Sequence, residues 1–526
     1  MISTLIKNVR IVDGTGAPWF RGDVAIKNDI IFDIGTNLLH EADVIFDGKD
    51  MILTPGFIDI HAHSDFSLPG IGLADSKVLQ GVTTDIGGNC GISPAPIKFD
   101  KLDLIKKYTG FLRDDMNWDW TSFGDFLSAV EGSRPTINFA CLVGHGTLRV
   151  AVMGFDDRKP TSEEMDEMKT LLRKAMEDGA FGISTGLIYP PGCYADTEEL
   201  IELVKEIAPY GGFYETHMRD ESDNVMKSLD ESALIGKNAN VPVQVAHHKV
   251  VGKKNWGKSS ETIAKLEAYR DEGIDIVCDQ YPYTASSTTL TTILPQWALA
   301  GGVDKLVERL NIKETREKLR KEVLDSMQES LQEFSDILIS SVRTSKNKVF
   351  EGMTVEEAAV KSNKEPVDFA FDLIIEEDAG VAAVTFGMDE DDVRYILSAP
   401  FTMVGSDGSA MSMDIGGKPH PRTFGTFTKV LEKYALEEKL ISFEEAVRKM
   451  TSLPASRMKF INRGLIKTGY KADLVLISPD ELKTYSDYKN PQQGPSGIKK
   501  VWVNGILAAN DGKLTGARPG QVIRHE

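Results

Sequence analysis

Through the first 54 residues, apolar and polar positions alternate with a period of two, and helical spacing is absent. "TLIKNVRIVDG", "GDVAIKNDIIFDIG" and "DVIFDGKDMILTPG" predict short strands set off by Gly and Asp turns. The other end of the chain has the same texture in "ADLVLISPDEL" and "GIKKVWVNGILAANDGKLTG". Residues 1–54 and 465–526 are therefore expected to be two halves of one small β-sandwich domain, separated by everything between.

The middle of the chain has a different pattern. Eight apolar runs recur, each ending in Gly, polar or aromatic residues: "GFIDIHAHSD", "GVTTDIGGNCGIS", "TINFACLVGHG", "AFGISTGLIYPP", "GGFYETHMRDE", "VPVQVAHHK", "GIDIVCDQYPYT" and "PFTMVGSDG". Between them lie amphipathic stretches such as "SEEMDEMKTLLRKAMEDG" and "TEELIELVKEIAPYG", with apolar residues three and four apart and Gly near the end. Strand–helix alternation repeated eight times predicts an α/β fold, a (β/α)8 TIM-like barrel over residues 55–464. Its longest departure, 289–350, is charged and helical in pattern and falls between the seventh and eighth strands. An insertion there would lie over the site as a helical lid.

Composition narrows the function classes. The chain has 526 residues, with 41% hydrophobic and 26% charged, the balance of a soluble globular protein. A formal charge of −19 argues against nucleic acid or an anionic membrane surface as a partner, since both call for basic patches. The N-terminal stretch lacks the pattern of a signal peptide, and no apolar run approaches a membrane span. Cys90, Cys141, Cys193 and Cys278 are too scattered for a disulfide framework. A cytoplasmic protein with reduced thiols is expected; nothing in the sequence fixes its oligomeric state.

In a barrel of this kind, chemistry gathers at the C-terminal ends of the strands. His61, His63 and Asp65 end the first strand, Asn89 and Cys90 the second, and His145 the third. Glu215 and His217 end the fifth, His247, His248 and Lys249 the sixth, Asp279, Tyr281 and Tyr283 the seventh, and Asp407 the eighth. Six of the nine histidines fall at these places, a concentration that points to a common site. Because side chains alternate along a strand, His61 and His63 point the same way. An isolated H-x-H could be a hydrogen-bonded strand end, but with His217 and a sixth-strand histidine it reads as a metal site. His247 and His248 face opposite sides, and the alternation of "VPVQVAHHK" leaves open which one enters. Cys90 could be a small buried hydrophobe; in glycine-rich "GGNCGIS" it reads better as a thiolate ligand, and thiolate with imidazole selects zinc. Asp407 could cap a helix, but beside a metal it reads as ligand and general base. His145 could carry a function or none, and the roles of both His145 and Glu215 stay open.

These motifs resemble the amidohydrolase superfamily, and "GNCGIS", "ETHMRDE", "VQVAHHK", "DQYPYTASST", "GSDG" and "HPRTFGTF" resemble its N-acyl-D-amino-acid deacylase (D-aminoacylase) family over almost the whole chain. The fourth strand has no lysine with which to bridge two metals, which separates the chain from hydantoinase-type relatives. The resemblance implies one tight zinc site at Cys90, His217 and His247, and a second, weaker position using His61 and His63. It implies zinc-dependent hydrolysis of N-acyl-D-amino acids, with Asp407 as general base and then acid. It places Lys249, Tyr281, Ser287 and Arg422 where the substrate's carboxylate binds. The stretch "GSAMSMDIGGKP" before His420 has fewer histidines than is common in the family, which leaves side-chain preference open. Another amidohydrolase, acting on cyclic imides, hydantoins or dipeptides, and a non-catalytic barrel scaffold are the alternatives.

Overall fold

A computed structural model describes residues 2–112 and 116–525. The chain folds as a mixed α/β protein with several sheets. Among the described residues no helix is long and apolar enough to cross a membrane.

The two ends of the chain meet in one sheet. Strands Ile2–Ile11, Phe20–Lys27, Ile30–Gly35, Ala42–Asp47 and Ile52–Pro55 come from the first segment; Leu474–Ile477, Ile498–Val503, Ile506–Asn510 and Lys513–Leu514 come from the last. Ile52–Pro55 pairs antiparallel with Leu474–Ile477, placing Leu53 opposite Leu476. The alternate apolar residues Ile6, Val9, Val24, Ile26, Leu53, Leu474 and Trp502 are buried together on one face. What the pattern suggests as a sandwich is connected by hydrogen bonds as a single nine-stranded sheet. Ile2–Ile11 pairs with three neighbours, including Ala42–Asp47 along its first half and Ile52–Pro55 at its end.

Eight short buried strands build the middle: β1 (Phe57–Asp59), β2 (Val82–Gly87), β3 (Asn138–Cys141, resumed at Val143–Gly144), β4 (Gly182–Gly186), β5 (Phe213–His217), β6 (Val243–Val245), β7 (Ile276–Gln280) and β8 (Thr402–Val404). All their pairings are parallel. β1, β2 and the first part of β3 form one ladder, and the second part of β3 with β4 to β8 forms another. Beyond the strand ends, Ala62 makes an isolated parallel bridge with Gly408. The strands are buried on both faces, as parallel strands covered by helices are. Of those helices, Ser162–Glu177 shows how sequence sets the element: Thr161 and Glu164 form a capping box, and Met165, Met168, Leu172 and Met176 are buried along one stripe.

The excursion between β7 and β8 differs from the all-helical reading of 289–350. Helices Val303–Asn311 and Lys313–Ser330 are present, but Ile337–Ser341 in the same stretch is a strand. It pairs antiparallel with Ala382–Phe386, which also pairs with Ala285–Thr289. This small sheet joins segments about fifty to one hundred residues apart, so local periodicity carries no sign of it. Ser340 donates from Oγ to the Lys418 carbonyl and accepts the Lys418 N–H on its own carbonyl, both at 2.8 Å, which seats the excursion on the loop after β8.

Candidate metal centre

The residues expected at the strand ends converge. Cys90 Sγ lies 3.3 Å from His61 Nε2 and 3.3 Å from His247 Nε2. His247 Nε2 is 2.9 Å from His217 Nδ1, and His63 Nε2 is 3.1 Å from Asp407 Oδ1. The ligand-type atoms form two groups, His61–His63–Cys90–Asp407 and Cys90–His217–His247, each with all atoms within 4.8 Å of one another. Cys90 belongs to both. Donors of this kind brought this close together suit a cation. Sulfur with imidazole suits zinc, so the residues present fit that metal. Buried His217 Nε2 and His63 Nδ1 have no hydrogen-bond partner.

Electrostatics agree with ligand roles for His217 and His247. Burial, reinforced by neighbouring cations such as Lys249, holds His217 and His247 well below the usual imidazole range, so both are neutral, as ligation requires. Burial also pulls His61 down, but Asp279 and Cys90 outweigh it and raise that imidazole. Burial pushes the Cys90 thiol far up, against the pull of His61, so a thiolate at this place calls for a cation beside it. Asp407 would be raised by burial, but Arg422 and His63 hold it well below the ordinary carboxylate range.

The sixth-strand ambiguity has a structural answer. His247 enters the site, while His248 turns away and pairs through Nε2 with Thr262 Oγ1 at 2.8 Å. Three of the converging residues, Cys90, His247 and Asp407, have left-handed backbone, with φ of 54°, 31° and 50°. Their N–H groups bond to Glu215 Oε2 at 3.2 Å, Asp279 Oδ1 at 2.8 Å and the His61 carbonyl at 2.7 Å. Asp279 also lies 3.1 Å from His61 Nδ1 and accepts from Gln244 at 2.7 Å. Burial raises the Glu215 carboxyl to about 8.

The expected carboxylate-binding residues separate into two sets. Arg422 opens helix Arg422–Lys429; its Nη1 is 2.8 Å from Asp407 Oδ2 and its Nη2 donates to the Ser287 carbonyl at 3.0 Å. Its guanidinium carbon sits 4.7 Å from the centre of the Tyr281 ring, whose hydroxyl is buried and unpartnered. Ser287 and Arg422 line a cleft with Cys90, His63, His247 and Asp407, about 870 Å³ of empty space with its mouth included. Lys249 and Tyr281 are absent from that lining; Tyr281 lies behind it against Arg422. The Lys249 ammonium is 2.6 Å from Glu221 Oε1 and 2.6 Å from His247 Nδ1. Glu221, which sequence reasoning missed, also lies 3.4 Å from His217 Nε2 and 3.1 Å from His247 Nδ1. The available signal was its place four residues after His217 in "ETHMRDE".

Two further buried clusters support the site or lie apart from it. Lys77 donates to Asp59 at 2.6 Å and to Ser406 Oγ and the Gly408 carbonyl at 2.9 Å each, tying the Asp407 loop to β1. Lys77 is a lone lysine in a short helix, with no sequence signal of this role. His145 pairs with Glu199 at 2.9 Å, and Arg149 pairs with the same carboxylate, away from the converging ligands.

Comparison with known proteins follows the same lines. The pattern of the amidohydrolase family matches residues 44–310 and 349–508. A "D-aminoacylase" of Alcaligenes xylosoxydans xylosoxydans is 35% identical over 99% of this chain and 97% of its own length. An "N-acyl-D-aspartate deacylase" of the same organism is 36% identical over 99% of this chain and 94% of its own. A solved D-aminoacylase, described with a binuclear metal centre, superposes with a TM-score of 0.83 at 34% identity, covering 100% of both chains. An N-acyl-D-glutamate deacylase from Bordetella bronchiseptica, solved with zinc and a phosphonate mimic of the tetrahedral intermediate, gives 0.82 at 32% identity over 99% of both chains.

Proposed function

The chain belongs to the amidohydrolase family, and on that premise we propose that it hydrolyses the amide bond of N-acyl-D-amino acids, giving a carboxylate and a free D-amino acid. It is a metal-dependent hydrolase of carbon–nitrogen bonds in linear amides, like the deacylases that it matches along their whole length. The observation that carries the reading is Cys90 Sγ at 3.3 Å from both His61 Nε2 and His247 Nε2, one cysteine shared by two donor groups. β4, Gly-Ile-Ser-Thr-Gly, offers no lysine for the bridge instead.

Cys90, His217 and His247 would hold one zinc tightly, and His61, His63 and Asp407 with Cys90 would make the second, weaker position. Zinc held there would supply Lewis acidity and lower the pKa of a water to about 7. Among the described lining residues Asp407 is the one carboxylate and Arg422 the one arginine or lysine. Asp407 therefore moves the proton: it takes it from the attacking water and hands it to the departing amine. Arg422 receives the substrate's carboxylate as a planar fork, beside Tyr281 and Ser287. Lys249, bonded to Glu221 and His247, orients a ligand and stands outside this clamp.

The finer architecture supports such a site. The two parallel ladders share β3 through Leu142, and the Ala62–Gly408 bridge links β1 to the end of β8, so the eight strands read as one closed barrel between residues 55 and 464. Segments 1–54 and 465–526 form the second domain. The insertion at 289–350 lends Ser340 and Ser341 to the cleft wall and serves as its lid.

A panel of N-acetyl-D- and N-acetyl-L-amino acids, run with zinc analysis of the same preparation, tests the reading. Free amino acid should appear from the D series, stop with a chelator and return with zinc. Opening of hydantoin rings without N-acyl hydrolysis would overturn it.

A further inference from the structure

Cys90 sits in a turn that L side chains rarely adopt. Gly88, Cys90 and Gly91 all have left-handed backbone, with φ of 73°, 54° and 73°. Glycine takes that conformation freely; cysteine does not. The glycines cannot be the whole explanation, because Sγ must also be aimed. A Cβ on Gly91 would stand 2.4 Å from the Gly186 nitrogen, so the turn is pressed against β4 and has little room to shift. The acceptor of the Cys90 N–H is buried Glu215 Oε2 at 3.2 Å.

Glu215 is fully buried and lies two residues before His217 on β5, so both point to the same side. Its other oxygen, Oε1, has no hydrogen-bond partner and lies 3.7 Å from His61 Nδ1. As a packing residue, a carboxyl half used and removed from water is a poor choice beside leucine or methionine. What it does that no apolar residue could is accept the N–H of Cys90 itself, beside Ser184 Oγ, which accepts the next N–H, that of Gly91, at 3.0 Å. His247 repeats the arrangement: φ is 31° and its N–H bonds to the buried Asp279. We propose that Glu215 is a positioning residue, whose reach to the Cys90 N–H holds the thiolate aimed at the metal. This rests on the reading of Cys90 as a metal ligand.

The test uses the full-length protein loaded with Co²⁺, in which thiolate-to-cobalt charge-transfer absorption reports the cysteine–metal bond, and Zn²⁺ affinity by chelator competition. Cys90→Ala should abolish the absorption; if the parent lacks it or Cys90→Ala keeps it, the ligand reading falls and this inference with it. Given a cysteine-dependent band, Glu215→Leu should weaken it and lower zinc affinity about tenfold or more. Parental band and affinity in a folded Glu215→Leu protein would overturn the proposal while leaving the ligand reading intact. If that variant does not fold, Glu215→Gln and Glu215→Asp decide. Glu215→Gln keeps the length and the acceptor oxygen, so it should stay near the parent; Glu215→Asp keeps the carboxyl and loses the reach, so it should be impaired. The reverse order, or no difference between them, would overturn the proposal.

Discussion

Arg422 and Asp407 meet at 2.8 Å across the cleft, with the arginine's second nitrogen fastened to the Ser287 carbonyl. The group expected to hold the substrate's charge therefore touches the group expected to move the proton. Losing one side of a desolvated charge pair costs roughly 2–5 kcal/mol. Arg422→Ala should lower kcat/KM for N-acyl-D-amino acids by about 30-fold or more. It should matter far less for the corresponding N-acyl amino-acid amides, which carry no carboxylate. Equal losses on acid and amide would mean that Arg422 supports the loop instead. Because Arg422 and His63 depress Asp407 against the effect of burial, the same substitution should also move the acid limb of the kcat/KM profile to higher pH.

Lys249 gives the opposite expectation. Its bonds to Glu221 and His247 Nδ1 make it a support for a ligand. Lys249→Met should reduce zinc affinity and activity by about 10- to 100-fold, by the same factor for acid and amide substrates. A loss confined to the acid would return Lys249 to the carboxylate clamp.

Asp407→Asn keeps the shape and removes the proton acceptor. General-base loss is worth about 10²–10⁴-fold, so kcat should fall by that order. Zinc at the Cys90–His217–His247 position should remain, since Asp407 is no part of that group. A variant within about tenfold of the parent by initial rates would remove Asp407 from the proton transfer.

His248 sets a pH dependence of stability. Burial lowers it to about 4, and an unfolded histidine titrates near 6.5. Between those values the unfolded chain binds the extra proton, so stability present above about pH 6.5 is lost as pH falls toward 4. By about pH 5 the loss from this one group is on the order of 2 kcal/mol. His248→Gln should have a smaller drop in melting temperature between about pH 7.5 and about pH 5 than the parent. An unchanged drop would assign the acid sensitivity to other groups.

Local periodicity alone determined a good deal here. The alternation of "GFIDIHAHSD" puts His61 and His63 on one side, and the same rule pairs Glu215 with His217. Eight apolar runs separated by helical stripes located the strand ends, and five of those ends supply the converging side chains. The physical reason is that strand direction and side-chain period are set within a few residues.

Only the tertiary structure decided between His247 and His248, because adjacent residues on a strand are equivalent until something fixes the backbone. Here that is the Asp279 carboxylate on the His247 N–H. It also set Lys249 against Glu221, which comes from the loop after another strand. The antiparallel sheet of the excursion was invisible for the same reason: Ser287 pairs with Val384, about one hundred residues on. Glu215 under Cys90 and Lys77 under the Asp407 loop likewise join partners 125 and 331 residues apart along the chain. Periodicity shows which way a side chain points. Which partner it meets depends on chain closure over distances where sequence spacing carries no geometry.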